Sequence, residues 1–158
     1  MKKKSITAIE KGIHSMIREI TIQFKPLDTE RIAVSNPKAV ADFIYNKIGR
    51  DAVESFILLC VSNKNEVVSY SVISIGTIAE AIVHPREIFL PAIMTKASGI
   101  IVAHNHPSGS NLPSRQDIDT TKRLLEAGKI IGIPLMDHLI IGFNNHEDFY
   151  SMRENGYL

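Results

Sequence analysis

The sequence predicts an α/β sandwich in which a mixed β-sheet, including a β-hairpin, carries helices on its faces. Two runs of strand length, 54–61 and 99–103, are apolar at odd and even positions alike once their first residues are passed. Such runs are expected of strands that are buried on both faces. Segments with helical apolar spacing and capping residues at their starts separate these runs. Such alternation is typical of α/β domains. The pattern leaves the strand order open.

The composition is that of a globular protein of single-domain size. The chain has 158 residues, of which 44% are hydrophobic and 22% are charged, with a formal net charge of +1. That length allows a substantial core, and that charge gives no global basic field for nucleic acid. One cysteine, Cys60, excludes an intramolecular disulfide and fits a reducing compartment, so we expect a cytoplasmic protein.

Residues 1–35 are predicted to form an extension ahead of a single domain at 36–158. The lysines near the start resemble a secretory signal, but Glu10, Lys11 and Arg18 interrupt the apolar region that a signal needs. Partial alternation predicts an edge strand at 17–25, followed by a linker or loop. No run has the length of a membrane helix, so we expect no membrane contact.

The first half of the domain is predicted to be a helix followed by a hairpin. Asn36 is a candidate N-cap with Pro37 at the first helical position, and Gly49 ends the apolar stripe. The strand 54–61 turns into an antiparallel partner, 66–75, and the segment 76–83 is irregular or extended.

The second half is predicted to alternate helices with strands. Pro91 should kink or break the first of its helices, and Gly99 opens the strand that leads to the histidines. The predicted elements are a helix at 85–97, a strand at 99–103, a helix at 114–129, a strand at 133–143 and a short closing helix at 147–155.

Polar residues with metal-ligand chemistry follow the strand 99–103. His104 and His106 share one face of an extended segment, and a loop rich in Pro, Ser, Gly and Asn follows them. Ser114 and Asp117 have the spacing of a capping box, which puts Asp117 in the first turn of a helix. Zinc takes imidazole nitrogens and carboxylate oxygens. The pattern therefore predicts a zinc site of His104, His106 and Asp117 with an open position for water.

The residues from His104 to Asp117 resemble the JAMM (MPN-plus) metalloprotease motif, which is His-x-His, seven residues, then Ser-x-x-Asp. The segment 103–109, Ala-His-Asn-His-Pro-Ser-Gly, is similar to the RadC-like branch, as are the segments 83–87 and 137–142. The resemblance runs from about residue 36 to the C-terminus. It implies a sandwich fold similar to that of cytidine deaminases and one zinc ion per chain.

The resemblance also implies roles for two further residues. Glu54 occupies the position of the general base, and a charge at the mouth of an apolar strand is unusual on physical grounds. Ser114 matches the serine that helps to hold the oxyanion in JAMM enzymes. Spacing alone leaves three other glutamates as candidate bases, namely Glu66, Glu80 and Glu87.

The favoured function is therefore zinc-dependent hydrolysis of an amide or isopeptide bond in an unidentified protein or peptide, by zinc-activated water. The alternative is a DNA-repair-associated module that binds nucleic acid or protein and has a non-catalytic metal site. Longer RadC-like chains carry an N-terminal helix-hairpin-helix region. The 35 residues ahead of this domain contain no Gly-rich hairpin of that kind. Nucleic acid is thus a weakly supported partner, and the oligomeric state stays open.

Zinc deaminase chemistry is set aside, because it needs His-x-Glu and a Cys-x-x-Cys pair, whereas this chain has His106 in place of the glutamate and a single cysteine. Asp137 and His138 lie in a predicted strand that could pass close to the zinc site. They are candidates for orienting a ligand, but buried, hydrogen-bonded core histidines are more common, so neither is assigned a catalytic role. Asn105 and Ser108 are expected to shape the loop that follows the histidines.

Overall fold

The computed structural model describes residues 21, 23–28, 30–76, 83–142 and 147–158. The strands are β1 (Ile32–Ala33), β2 (Ser55–Val61), β3 (Glu66–Ile75), β4 (Gly99–His106), β5 (Leu135–Gly142) and β6 (Phe149–Ser151). The helices are α1 (Pro37–Ile44), α2 (Pro85–Met94) and α3 (Arg115–Ile131), and a π-helical turn at Tyr45–Gly49 continues α1.

Within the described residues, the strands form one mixed sheet in the order β1-β3-β2-β4-β5-β6. Only β4 and β5 run parallel, and α3 connects them. Strands β2 and β3 form the predicted hairpin. The mixed sheet with helices on both faces confirms the predicted α/β sandwich.

The core has two layers, one on each face of the sheet. On one face, side chains of β2 and β4 pack against α2 and α3; this layer includes Phe56, Leu58, Ile88, Phe89, Ile100, Val102 and Leu124. On the other face, the alternate side chains pack against α1 and the π-helical turn; this layer includes Val40, Ile44, Ile48, Ile57, Leu59, Ile101 and Ala103. Because both faces are covered, both parities of the central strands must be apolar.

The predicted helix starts are confirmed by their caps. The Asn36 side chain accepts a hydrogen bond from the Ala39 N–H at 3.1 Å. The π-helical turn then carries the helix to Gly49, where the sequence predicts its end. Helix α2 runs through Pro91 to Met94, so the predicted break does not occur, although the helix ends three residues before the predicted Ala97.

Two sequence predictions at the edges of the sheet differ from the structure. The described edge strand lies at Ile32–Ala33, inside the predicted linker, and residues 21 and 23–25 of the predicted strand 17–25 are not in a strand; residues 17–20 and 22 lie outside the described residues. The predicted closing helix at 147–155 is instead β6 followed by turns. In both places backbone pairing with a neighbouring strand prevails over local periodicity. Residues 77–82 of the segment 76–83 lie outside the described residues.

No helix in the described ranges is long and apolar enough to cross a membrane.

Candidate metal centre

Strand β4 ends in the two histidines, and both side chains project from the face that packs against α2 and α3. His104 is fully buried and His106 is half-buried. Their Nε2 atoms lie 3.0 Å apart. The Asp117 carboxylate enters from the first turn of α3, with Oδ1 3.2 Å from Nε2 of His104 and Oδ2 3.6 Å from Nε2 of His106. The three predicted ligands therefore meet at one point.

These separations fit a tetrahedral zinc ion. Zinc–nitrogen bonds of about 2.05 Å at tetrahedral angles place neighbouring ligand atoms about 3.3 Å apart. The ligand atoms of the cluster lie within 4.8 Å of one another. Two imidazoles and one carboxylate match the ligand sets of catalytic zinc sites, which keep a fourth position for water or substrate. The donor set thus fits the metal that the sequence predicts.

The capping box predicted at Ser114 and Asp117 is present and orients the carboxylate. The Ser114 hydroxyl donates to Asp117 Oδ2 at 2.6 Å, and the Ser114 backbone N–H donates to the same oxygen at 2.7 Å. In return, the Asp117 N–H donates to the Ser114 hydroxyl at 3.2 Å. Because Oδ2 accepts two hydrogen bonds from Ser114, Oδ1 is the oxygen left facing His104.

Charge in this cluster is concentrated on Asp117. Burial raises the pKa of the Asp117 carboxyl, but hydrogen bonds from His104 and His106, in the form that carries a proton at Nε2, and from Ser114 outweigh burial and hold that pKa well below its usual range. The hydrogen bond with Asp117 raises the pKa of His106 against the effect of burial, and the charge of Glu54 adds to the increase. The site therefore attracts positive charge to the point where the three side chains meet.

The orientation of His106 is set by the loop that follows it. His106 Nδ1 lies 2.7 Å from the carbonyl oxygen of Ser110. Since a carbonyl can only accept, Nδ1 carries the proton, and Nε2 of the neutral ring keeps its lone pair for a metal.

Glu54 lies directly before β2, on the side of the sheet that carries the histidines. In the register of β2 with β4, Phe56 is opposite His104, and continuing that register by two residues places Glu54 opposite His106. The Glu54 carbonyl accepts a hydrogen bond from Gly76 N–H at 2.9 Å, which ties the end of β3 to this position. Glu54 is half-buried at this position, and its charge contributes to the raised pKa of His106.

The other candidate general bases that the structure describes lie away from the metal centre. Glu66 starts β3 at the hairpin turn, at the other end of β2, and pairs with Arg31 at 3.1 Å. Glu87 is exposed on the first turn of α2 and pairs with Arg86 at 3.2 Å. Glu80 lies outside the described residues. Among the candidate glutamates that the structure describes, Glu54 is therefore the one that the register of β2 with β4 places at the metal centre.

His138 lies beside the ligands, although the sequence analysis assigned it no catalytic role. Its Nε2 is 2.9 Å from Nδ1 of His104, and its Nδ1 is 2.7 Å from the hydroxyl of Thr121. Burial lowers the pKa of His138 well below its usual value, so the ring is neutral. A histidine inside a buried strand whose only other polar residue is Asp137 is the signal that could have drawn attention to it.

Asp137 points away from this centre. Its carboxylate accepts hydrogen bonds from the Ser151 hydroxyl at 2.7 Å and from the Arg153 N–H at 3.1 Å. It holds β6 and the turn after it against β5. From the sequence, Asp137 and His138 were considered together. Their side chains lie on opposite faces of the sheet, and only His138 lies beside the metal centre.

Asn105 has a larger role than shaping the loop. It is fully buried within β4, and its side chain contacts the segment that carries Glu54. Its amide group donates to the carbonyls of Asp51 and Val53 at 3.2 and 3.1 Å. Alternation along β4 places Asn105 on the face opposite the two histidines, where a polar residue among apolar neighbours was the available signal.

Comparison with known proteins identifies the family that this chain resembles. Residues 34–157 match the family described as the RadC-like JAB domain. A UPF0758 protein of Rubrobacter xylanophilus is 43% identical over 128 residues, which cover 81% of this chain and 55% of that protein. A second, from Symbiobacterium thermophilum, is 37% identical over 97% of this chain and 62% of its own length. One from Methanosarcina barkeri is 41% identical over 79% of this chain and 53% of its own. The chain thus spans little more than half the length of these relatives.

Proposed function

Because this chain belongs to the RadC-like JAB domain family, we propose that it is a zinc-dependent hydrolase that cleaves an amide or isopeptide bond in a protein or peptide. The observation that supports this function is the convergence of His104, His106 and Asp117 on one point beside Glu54. An activity of this kind needs a metal-ligand set with an open position and a separate carboxylate base.

His104 and His106 would hold zinc through Nε2, and Asp117 through Oδ1. When bound, zinc supplies a Lewis acid that acidifies a water molecule and polarises a carbonyl group. The protein contributes the fixed spacing of the three ligands and a buried wall behind them, since His104 and Asp117 are 0% and 4% exposed.

Glu54 would handle the proton of the reaction. Its carboxylate accepts a proton from the attacking water while the water oxygen forms a bond to the carbonyl carbon. When the C–N bond breaks, Glu54 returns that proton to the leaving nitrogen, which yields an acid and an amine. A half-buried position next to His106 suits this exchange, because the base needs to reach both the water and the substrate.

Ser114 would stabilise the charge that develops on the carbonyl oxygen. Its hydroxyl donates to Asp117 Oδ2 at 2.6 Å. The backbone N–H of Ser114 donates to the same oxygen, so the carboxylate keeps a partner when the hydroxyl turns to an oxyanion. The cap and the catalytic donor can thus be one residue.

The test combines metal content with cleavage. Zinc per chain is measured by elemental analysis for the wild type, His106→Ala and Glu54→Gln, with His84→Ala and Glu87→Gln as controls from outside the site. Cleavage of a proteome-derived peptide library and of isopeptide-linked peptides is followed by mass spectrometry. We expect about one zinc per chain in all except His106→Ala. We expect cleavage by the wild type and both controls only.

Two results would count against the proposal. Wild-type protein that takes up no zinc when zinc is supplied would remove the metal centre. Wild-type protein that holds zinc but cleaves nothing would leave a non-catalytic metal site, and salt-dependent retention on DNA would then favour the nucleic-acid-binding alternative. Full activity of Glu54→Gln would show that another group is the base.

A further inference from the structure

We propose that His138 and Thr121 are positioning residues that fix the ring orientation and tautomer of His104, so that its Nε2 lone pair faces His106 and Asp117. This inference rests on the metal site of the proposed function, but not on hydrolysis. It assigns a role to a buried histidine and a buried threonine that no part of the proposed reaction uses.

The residues form a continuous chain of hydrogen bonds behind the site. The Thr121 hydroxyl lies 2.7 Å from the carbonyl oxygen of Asp117 and 2.7 Å from Nδ1 of His138. His138 Nε2 lies 2.9 Å from Nδ1 of His104. The chain thus runs from the backbone of one ligand, Asp117, to the side chain of another, His104.

The direction of each hydrogen bond follows from the chemistry of the end groups. The Asp117 carbonyl can only accept, so the single hydroxyl proton of Thr121 is donated to it. The Thr121 oxygen must then accept from His138, which places a proton on Nδ1 of His138. A ring with its proton on Nδ1 has a lone pair on Nε2, and that lone pair accepts from the N–H at Nδ1 of His104.

The consequence falls on His104. With its proton on Nδ1, its Nε2 carries a lone pair, and that atom lies 3.0 Å from His106 Nε2 and 3.2 Å from Asp117 Oδ1. The opposite direction along the chain would put a hydrogen on His104 Nε2 and block ligation. One threonine hydroxyl therefore determines the tautomers of two histidines.

Packing fixes the same rings in space. The Phe56 ring lies parallel to the His104 ring, with centroids 5.9 Å apart and an interplanar angle of 4°, and its centroid is 5.6 Å from that of His138. His138 and Thr121 are 0% and 1% exposed, so no solvent competes for their hydrogen bonds. A purely structural role would require only this packing, whereas positioning of a ligand requires the hydroxyl and the acceptor nitrogen.

Two matched pairs of variants separate these roles. Thr121→Val keeps the shape and removes the hydroxyl, whereas Thr121→Ser keeps the hydroxyl and removes a methyl group. His138→Phe keeps an aromatic ring and removes the acceptor, whereas the side-chain oxygen of His138→Gln can still accept from His104. The zinc dissociation constant is measured by competition with a chromophoric chelator, and imidazole ¹⁵N chemical shifts of the metal-free protein report the tautomers.

We expect Thr121→Val and His138→Phe to weaken zinc binding about 10- to 100-fold, and Thr121→Ser and His138→Gln to stay much closer to the wild type. In the wild type, the ¹⁵N shifts should show His104 and His138 protonated at Nδ1, and in Thr121→Val a mixture of tautomers. Thr121→Val that binds zinc as tightly as Thr121→Ser and keeps the wild-type tautomers would overturn the inference, even where His138→Phe fails to fold.

Failure of the proposed function has a different signature. A wild type that binds no zinc, or binds zinc without cleaving, contradicts the hydrolase but leaves the ¹⁵N result to decide the tautomers. A wild type that binds zinc, with no proton on Nδ1 of His104 in the metal-free protein, overturns the positioning role alone.

Discussion

The side-chain oxygen of Asn105 accepts a hydrogen bond from the backbone N–H of Ser55 at 2.7 Å. Asn105 separates the two histidine ligands on β4, and Ser55 follows Glu54 at the start of β2. One buried amide therefore joins the strand end that carries the ligands to the strand end that carries the candidate base.

Replacing Asn105 with Ala should destabilise the fold by about 1–3 kcal/mol, because a buried N–H loses its acceptor and two carbonyls lose a donor. Urea unfolding with a chelator present measures the loss, and Ser108→Ala, in the exposed loop, is the control. Zinc content should stay at the wild-type level, because the ligands lie on the other face of β4. An Asn105→Ala protein as stable as the control would show that the Asn105 amide does not stabilise the junction between β4 and β2.

Ser114 should show separable contributions to stability and catalysis. Ser114→Ala removes an N-cap, which costs about 1 kcal/mol, whereas Gly at an N-cap costs only a few tenths. Both variants lack the hydroxyl, so both should lose cleavage activity equally if Ser114 stabilises the oxyanion. The free energy of unfolding and the cleavage rate are compared across the pair. Retention of full activity by Ser114→Gly would limit Ser114 to the cap.

Gly128→Ala should destabilise the protein although it lies within helix α3. Alanine is favoured over glycine by about 1 kcal/mol in a helix interior. Here, however, an added Cβ would lie 2.7 Å from the carbonyl oxygen of Ile133, a backbone atom that cannot rotate away. Overpacking of this kind costs about 1–3 kcal/mol. Urea midpoints should fall for Gly128→Ala and stay unchanged for Lys129→Ala on the exposed face; a rise for Gly128→Ala would show that the contact relaxes easily.

Asp137 should give the stability a pH dependence that Asp137→Asn lacks. Burial raises the pKa of Asp137, against hydrogen bonds from Ser151 and from the backbone N–H groups of Arg153 and His138. Because the folded pKa lies above the unfolded value of 3.8, the folded protein binds the proton first as pH falls. The free energy of unfolding of the wild type, relative to Asp137→Asn, should therefore rise as pH falls through the folded pKa and level off below 3.8. A difference that falls with pH would contradict this assignment.

Much of the site could be predicted because its information is local. His104 and His106 share a face through strand alternation, and Ser114 and Asp117 meet within one helical turn. The structure brings the side chains of His104, His106 and Asp117 together, and it shows the Ser114 hydroxyl hydrogen-bonded to Asp117. The hairpin and the main helices follow for the same reason, since their caps, turns and apolar stripes lie within a few residues.

The tertiary structure alone decided how the sheet ends and what supports the ligands. The edge strand Ile32–Ala33 and β6 form where a neighbouring strand offers backbone partners, and local periodicity does not record such pairing. His138 meets His104 across 34 residues of sequence, and Thr121 meets His138 across 17. The amino-acid sequence by itself determined which residues can bind a metal. Only the parallel register of β4 with β5, with α3 packed above them, determined which buried groups orient those ligands, because hydrogen bonds between distant residues depend on the packing of whole elements.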